Sequence, residues 1–331
     1  MNTAPSSALH STSTTPADRP RPDQDQPQVD ATNRVHAAGE RALVLGGGGS
    51  TGNAWLIGVV AGLFGAGVDV TDADLTIGTS AGSTAAAQFA GATPTELLAD
   101  ILAAAPPPAS GRGTPDRGPA RAGSAAEHLE RLRATIASAE DQADLRRKMG
   151  ARALELEAAS DASRQAQWRA TVASRLPSRS WPDRSIRITA VDARSGEPVV
   201  FDRASGVDLV DAVAASCSSG AAYRIGDRAY IDGGYRSNAE NADLAAGFDR
   251  VLVLAPFGGR SLTPASWGTH LATQLDRLRE QGSSVDTIFP DRESEQLFGL
   301  NAMDPSLRPP AARAGFEQGR ALAERIAAFW S

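Results

Sequence analysis

The stretch that most constrains this chain is Gly78-Thr79-Ser80-Ala81-Gly82. The apolar run Leu75-Thr76-Ile77 leads into it, and a run of small residues from Ala81 to Ala90 leads out. A strand, Gly-x-Ser-x-Gly and a helix, in that order, describe a nucleophile elbow. So sharp a turn drives the serine into a strained backbone conformation. A Cβ at Gly78 or Gly82 would strike the neighbouring strand or helix. The hydroxyl then stands at a helix N-terminus, where backbone N–H groups favour developing negative charge. The five-residue pattern alone is common by chance, and its setting between strand and helix is what gives it weight.

The rest of the chain supplies a fold for that turn. Ala42-Leu43-Val44-Leu45 and Arg250-Val251-Leu252-Val253-Leu254 are apolar runs of the kind expected of strands buried on both faces. Asn53 to Ala66 reads as a helix that is apolar nearly all round, with Gly67 to end it. Thr93-Pro94-Thr95-Glu96 combines a capping box with proline at the first helical position. Strands are expected at 186–191 and 199–201. Tyr223-Arg224-Ile225 and Arg228-Ala229-Tyr230-Ile231 form a hairpin about Gly226-Asp227. A helix over 208–215, another over 269–280, a strand near 285–289 and a final helix from Ala311 to Trp330 complete the pattern. That last helix is expected to bury Phe316, Leu322, Ile326 and Phe329 or Trp330. Strands alternating with helices predict a three-layer α/β sandwich around a mostly parallel sheet. Two regions fall outside it. Residues 1–38, rich in Ser, Thr, Pro, Asp and Gln, are expected to be a disordered tail preceding a domain over 39–331. Residues 106–180, Gly/Pro/Arg-rich and then helical and charged, are expected to be a helical insertion beside or over the site.

Composition narrows the function. A formal charge of −6 gives no basic face for nucleic acid. Cys217 is the only cysteine, so no disulfide framework and no thiolate metal cluster is possible within one chain. His10, His36, His128 and His270 lack metal-ligand spacing. No apolar run approaches the roughly 18 residues of a membrane span, and the N-terminus lacks the apolar core of a signal peptide. A cytoplasmic location is the expectation, and no cofactor or metal is expected.

A second glycine-rich stretch, Gly46 to Gly52, follows the first strand. Gly47-x-Gly49-x-x-Gly52 matches the dinucleotide fingerprint, but the acidic residue expected about 20 positions later is not at the end of the second strand. Asn53 stands where a Walker loop needs lysine. The third reading joins loop and elbow. Consecutive glycines before a helix turn several N–H groups into one concavity, where they hold the oxyanion of a tetrahedral acyl intermediate. In a parallel sheet both motifs lie at the carboxyl ends of their strands, on the same edge.

Ser80 needs a base. His270 is the histidine whose position suits the chain order serine, acid, histidine. Asp232 is the alternative: a strand delivers it, and Gly233 and Gly234 allow another backbone to come close. Partial burial would raise the basicity of such a carboxylate.

With these residues assembled, the chain resembles the patatin-like phospholipase family. That family combines a Gly-Gly-Gly-x-x-Gly loop, a Gly-x-Ser-x-Gly elbow and an Asp-Gly-Gly or Asp-Gly-Ala motif. Gly47 to Gly52, Gly78 to Gly82 and Asp232 to Gly234 look like these. Ile188-Thr189-Ala190-Val191-Asp192, Ser195-Gly196-Glu197, Ala214-Ala215-Ser216, Asn238 and Asn301-Ala302-Met303-Asp304-Pro305 extend the likeness over residues 41–330 outside the insertion. The resemblance implies a Ser80–Asp232 dyad without histidine, and an oxyanion hole from the N–H groups of Gly47, Gly48 and Gly49. It implies hydrolysis of lipid acyl esters through an acyl-serine, with no metal. Whether such a lipid is met by peripheral contact with a membrane or as monomers in water stays open, as does the oligomeric state. A lipid-binding member of the fold with altered catalysis is the runner-up. Thr51 stands where the family usually carries Arg or Lys, and Tyr223-Arg224 where prolines are common.

Overall fold

The structure, a computed structural model of the chain, describes Gln28, Asp30, Ala31 and residues 39–104, 125–161 and 163–331. Its strands are β1 Arg41–Leu45, β2 Leu75–Gly78, β3 Ser185–Asp192, β4 Pro198–Phe201, β5 Tyr223–Ile225, β6 Arg228–Asp232, β7 Arg250–Leu254 and β8 Ser284–Ile288. Its helices are α1 Gly49–Gly65, α2 Ala81–Phe89, α3 Pro94–Ala103, α4 Ala125–Ser138, α5 Gln142–Ala158, α6 Ser163–Ala173, α7 Leu209–Ser216, α8 Leu271–Glu280 and α9 Arg308–Trp330. Among the described residues, no helix is long and apolar enough to cross a membrane.

The strands form one sheet in the order β5-β6-β3-β2-β1-β7-β8, with β4 also on β3. β3, β2, β1, β7 and β8 run parallel. β4 and β6 lie antiparallel to β3, and β5 antiparallel to β6. Period-two alternation divides each central strand between two apolar layers. Leu43, Leu45, Leu252 and Leu254 face the layer holding α1, α2 and α7. Ala42, Val44, Val251 and Val253 face the layer holding α8. This is the expected three-layer architecture.

Helix α1 is buried nearly all round because α9 covers the face turned away from the sheet. The contact is made by glycine. A Cβ on Gly58 or Gly62 would stand 2.1 Å from the Ala312 carbonyl oxygen and 2.2 Å from that of Phe316. One on Gly315 or Gly319 would stand 2.4 Å from the oxygen of Trp55 and 2.2 Å from that of Val59. The expected inner face of α9 is therefore corrected. Ala312, Gly315, Gly319, Ala323, Ile326 and Trp330 are buried, while Phe316, Leu322 and Phe329 pack only partly. Bulky side chains on the contact line would hold the backbones apart. At the other end of α1, Gly67 adopts φ 88°, and bonds from Gly67 N to Phe64 O and from Val68 N to Leu63 O close a Schellman motif.

The insertion, described from Ala125 onward, lies against the β5–β6 edge. Arg224 makes two 2.8 Å bonds to Glu157 of α5. Arg169 of α6 reaches Asp211 of α7 at 2.8 Å. The 2.8 Å bond from Gln142 Nε2 to Tyr235 O sets α5 beside the segment that follows β6. Most of the expected tail, and residues 106–124, lie outside the described residues. Three tail positions are held to the sheet, correcting the disordered reading there. Gln28 bonds Ile225 O at 2.9 Å, Asp30 accepts Val200 N–H at 2.9 Å, and Ala31 N donates to Val200 O at 2.9 Å.

Candidate active site

The strand registers bring the motifs together. Leu45 pairs with Gly78, so the glycine loop after β1 and the elbow after β2 leave the sheet at one level. β3 runs past β2: Gly78 pairs with Ile188, and Asp232 pairs with Ala190 two residues beyond. Asp232 thus reaches the same edge from an antiparallel strand.

At the elbow Ser80 has φ 52° and ψ −113°, a region that costs a non-glycine residue on the order of 1–3 kcal/mol. The turn is this tight because its neighbours are this close. A Cβ on Gly82 would meet Leu45 O at 1.9 Å, and one on Gly78 would meet the Ser83 Cα at 2.6 Å. Thr79 N donates to Leu45 O at 3.1 Å and Gly82 N to Thr79 O at 2.8 Å, pinning the turn to β1.

Ser80 Oγ donates to Asp232 Oδ2 at 2.8 Å. The other carboxylate oxygen, Oδ1, accepts Gly234 N–H at 2.8 Å, which turns Oδ2 toward the serine. A Cβ on Gly233 would stand 2.1 Å from Thr189 Oγ1, so glycine there lets the chain bend against β3. Asp232 is 7% exposed. Burial pushes its carboxyl up to about 6, against the opposing pull of the Gly234 N–H and the Ser80 hydroxyl.

The glycine loop lies beside this pair. A Cβ built on Gly47 would lie 3.6 Å from the Ser80 Cβ. The three-donor expectation is corrected: Gly47 N–H donates to Ala239 O at 2.8 Å and is spent on the fold. Gly48 precedes α1 and Gly49 opens it, where a helix leaves its first N–H groups without intrahelical acceptors. Gly49 has φ 64°, and a Cβ there would meet Ala302 O at 2.6 Å and the Met303 sulfur at 2.9 Å. Gly52 packs on Pro256. Thr51 donates to Ala302 O through its N–H at 3.0 Å, tying the loop to the segment before α9. A cation does reach this turn, but from α9: Arg308 bonds Ser50 O at 2.9 Å and Asn53 Oδ1 at 3.1 Å. Burial depresses its guanidinium to about 10.

His270 is not brought to the serine. It caps α8, and its Nε2 is 2.8 Å from Thr263 O. Other residues at the site had no role assigned from sequence, although Ser216 belongs to the Ala214-Ala215-Ser216 likeness. Asn241, at φ 56°, donates to Thr79 Oγ1 at 3.0 Å and to Gly233 O at 3.0 Å, linking the residues that flank Ser80 and Asp232. Thr79 and Thr189 share a 2.9 Å bond beneath it. Ser216 and Cys217 contact the Ser80 backbone.

A strained serine at a strand-to-helix turn, bonded to a buried carboxylate beside the N-terminus of a glycine-led helix, belongs to the class of α/β proteins built on a nucleophile elbow. Within that class the patatin-like phospholipase model matches residues 43–244, more than half of the 331 residues, and the chain belongs to that family. Solved structures similar to it include VipD from Legionella pneumophila, at 11% identity and TM-score 0.40, covering 87% of this chain and 67% of that one. The type III effector protein ExoU matches at 16% identity and TM-score 0.31, covering 86% of this chain and 54% of its own. The chain thus spans about half of ExoU. The search of curated proteins returned no match.

Proposed function

We propose that this chain is a serine acyl hydrolase acting on lipid acyl esters. Ser80 Oγ attacks the ester carbonyl carbon while Asp232 Oδ2 takes its proton. The N–H groups of Gly48 and Gly49 hold the oxyanion. The tetrahedral intermediate collapses to an acyl-serine as the alcohol leaves with a proton from Asp232. Water then attacks the acyl-serine as Asp232 accepts its proton, and Asp232 returns that proton to Ser80 Oγ as the fatty acid leaves. The observation that carries this reading is the 2.8 Å bond between the strained serine and a carboxylate whose other oxygen is already held. A base near pH 6 suits proton transfer at neutral pH far better than an ordinary carboxylate near 4. Family membership supports lipid as the substrate class. So does Met303, 72% exposed, which sets an apolar side chain at the rim of the glycine loop.

The test is turnover of a p-nitrophenyl acyl ester, followed by fatty acid release from a lipid panel. Ser80→Ala is expected to abolish both. Asp232→Asn is expected to lose at least ~10²-fold. His270→Ala is expected to keep the wild-type rate, and its inactivation would restore the serine, acid, histidine alternative. A fluorophosphonate that fails to label Ser80 in the wild type would favour a lipid binder instead.

A further inference from the structure

Helix α7 ends between the two elements that carry the dyad, touching α2 on one side and β6 on the other. Its last residue and the two that follow are Ser216-Cys217-Ser218. Each makes one contact with a backbone group of Ser80 or Asp232. Ser216 Oγ, fully buried, accepts the Ser80 N–H at 2.9 Å. Cys217 Sγ donates to Ser80 O at 3.1 Å. Ser218 O accepts the Asp232 N–H at 3.0 Å. Three consecutive residues thus grip both peptide groups of the strained serine and the amide of its carboxylate partner.

We infer that Ser216-Cys217-Ser218 is a brace that sets the separation of Ser80 and Asp232, with Ser216 as its main positioning residue. The inference rests on the acyl-hydrolase reading of the site. Physical reasons favour Ser216 over its neighbour. The Ser80 carbonyl also receives Ser83 N at 3.0 Å and Ser83 Oγ at 2.7 Å, so Cys217 is one donor among several. The Ser80 N–H is directed at Ser216 Oγ. Removing that acceptor leaves a partly buried donor unmet at the residue whose conformation is strained. The elbow then relaxes, and the 2.8 Å bond to Asp232 loosens.

The full chain is assayed on p-nitrophenyl butyrate, with active sites titrated by a fluorophosphonate. Ser216→Ala is expected to lower kcat per titrated site by roughly 10- to 100-fold with KM within about twofold. The acid limb of kcat/KM, expected near 6 for the wild type, should move to higher pH in the variant, because the Ser80 hydroxyl bond holds the Asp232 pKa down. The titratable neighbours that feel Asp232 are Cys217, pushed up to about 11 by burial, and Tyr235, pushed higher still. Neither titrates in that range.

A kcat per titrated site within about threefold of wild type overturns the brace, as does a loss with the acid limb unmoved. Should Ser216→Ala fail to fold, the Cys217 pair decides. Cys217→Ala is expected to slow turnover severalfold and Cys217→Ser, which keeps a donor, to restore it; equal rates in the two overturn the brace. A wild type that Ser80→Ala matches in turnover overturns the functional reading and the brace with it. A wild type that needs Ser80 but not Ser216 overturns the brace alone.

Discussion

At the elbow a Cβ on Gly82 would stand 1.9 Å from the Leu45 carbonyl oxygen, and between α1 and α9 a Cβ on Gly58 would stand 2.1 Å from that of Ala312. Both contacts need a backbone with no side chain in the way. Their consequences differ. At the elbow, close approach forces Ser80 to φ 52° and aims its hydroxyl at Asp232. Between the helices the same closeness lets two long elements share a wide apolar face, and no reactive group depends on it. One set of glycines positions atoms for chemistry; the other sets the distance between layers.

Substituting at each contact separates these roles. Gly82→Ala drives α2 away from β1 and displaces Ser80, and a shift of about 1 Å at a reacting group can cost on the order of 10²-fold. We expect kcat on p-nitrophenyl butyrate to fall at least that far. Gly58→Ala forces α9 outward at a cost typical of overpacking, about 1–3 kcal/mol. Its melting temperature is expected to drop by roughly 5 °C. Its kcat per fluorophosphonate-titrated site should stay within about twofold of wild type. A Gly58→Ala protein whose titrated sites turn over as poorly as those of Gly82→Ala would erase the distinction.

The same contrast explains what could be read from residue order. The elbow and the Asp-Gly-Gly turn were legible because their glycines sit at fixed short spacing around a chemically distinctive side chain, next to apolar strands. The α1–α9 contact was missed although Gly58 and Gly62, and Gly315 and Gly319, each repeat at four residues. Inspection of α9 by side-chain size points to Phe316 and Leu322. Only the matching stripe on α1 shows that small residues make the contact. Asn241, and the bond that Ser216 makes from the end of its Ala-Ala-Ser stretch, were illegible for another reason. Their bonds to Thr79 and Ser80 span 162 and 136 residues, and no local spacing marks them. Gly47 was misassigned as a donor because its N–H is claimed by Ala239, a neighbour set by the docking of the chain after β6.

The rim carries a titration that the helix contact lacks. If Asp232 is the base, it must be ionised. With its pKa raised by burial to about 6, kcat/KM on the butyrate ester is expected to rise with pH and level off above that value. A plateau reaching down to pH 4.5 would mean that the carboxyl is not desolvated, and would remove the burial argument for its basicity.

Burial of that carboxyl also bears on stability. The native Asp232 holds its proton up to about pH 6, whereas an unfolded one releases it near the ordinary carboxylate value of 3.8. The folded state therefore binds more protons between those values, and its stability falls as pH rises through them. Glu240 behaves in the same way over a wider span. It is 1% exposed, its Oε1 has no partner among the described residues, and burial pushes it up to about 8 from 4.5. Glu240→Gln removes the buried acid while keeping its shape. We expect its melting temperature to exceed that of wild type at pH 8.5, with the advantage shrinking toward pH 5, where the native Glu240 is protonated and, like glutamine, carries no charge. Asp232→Asn should show a smaller gain, already complete by pH 7, together with loss of turnover. Equal melting curves for wild type and Glu240→Gln across that range would show that water reaches Glu240. The cost of buried charge would then be confined to the carboxylate that touches Ser80.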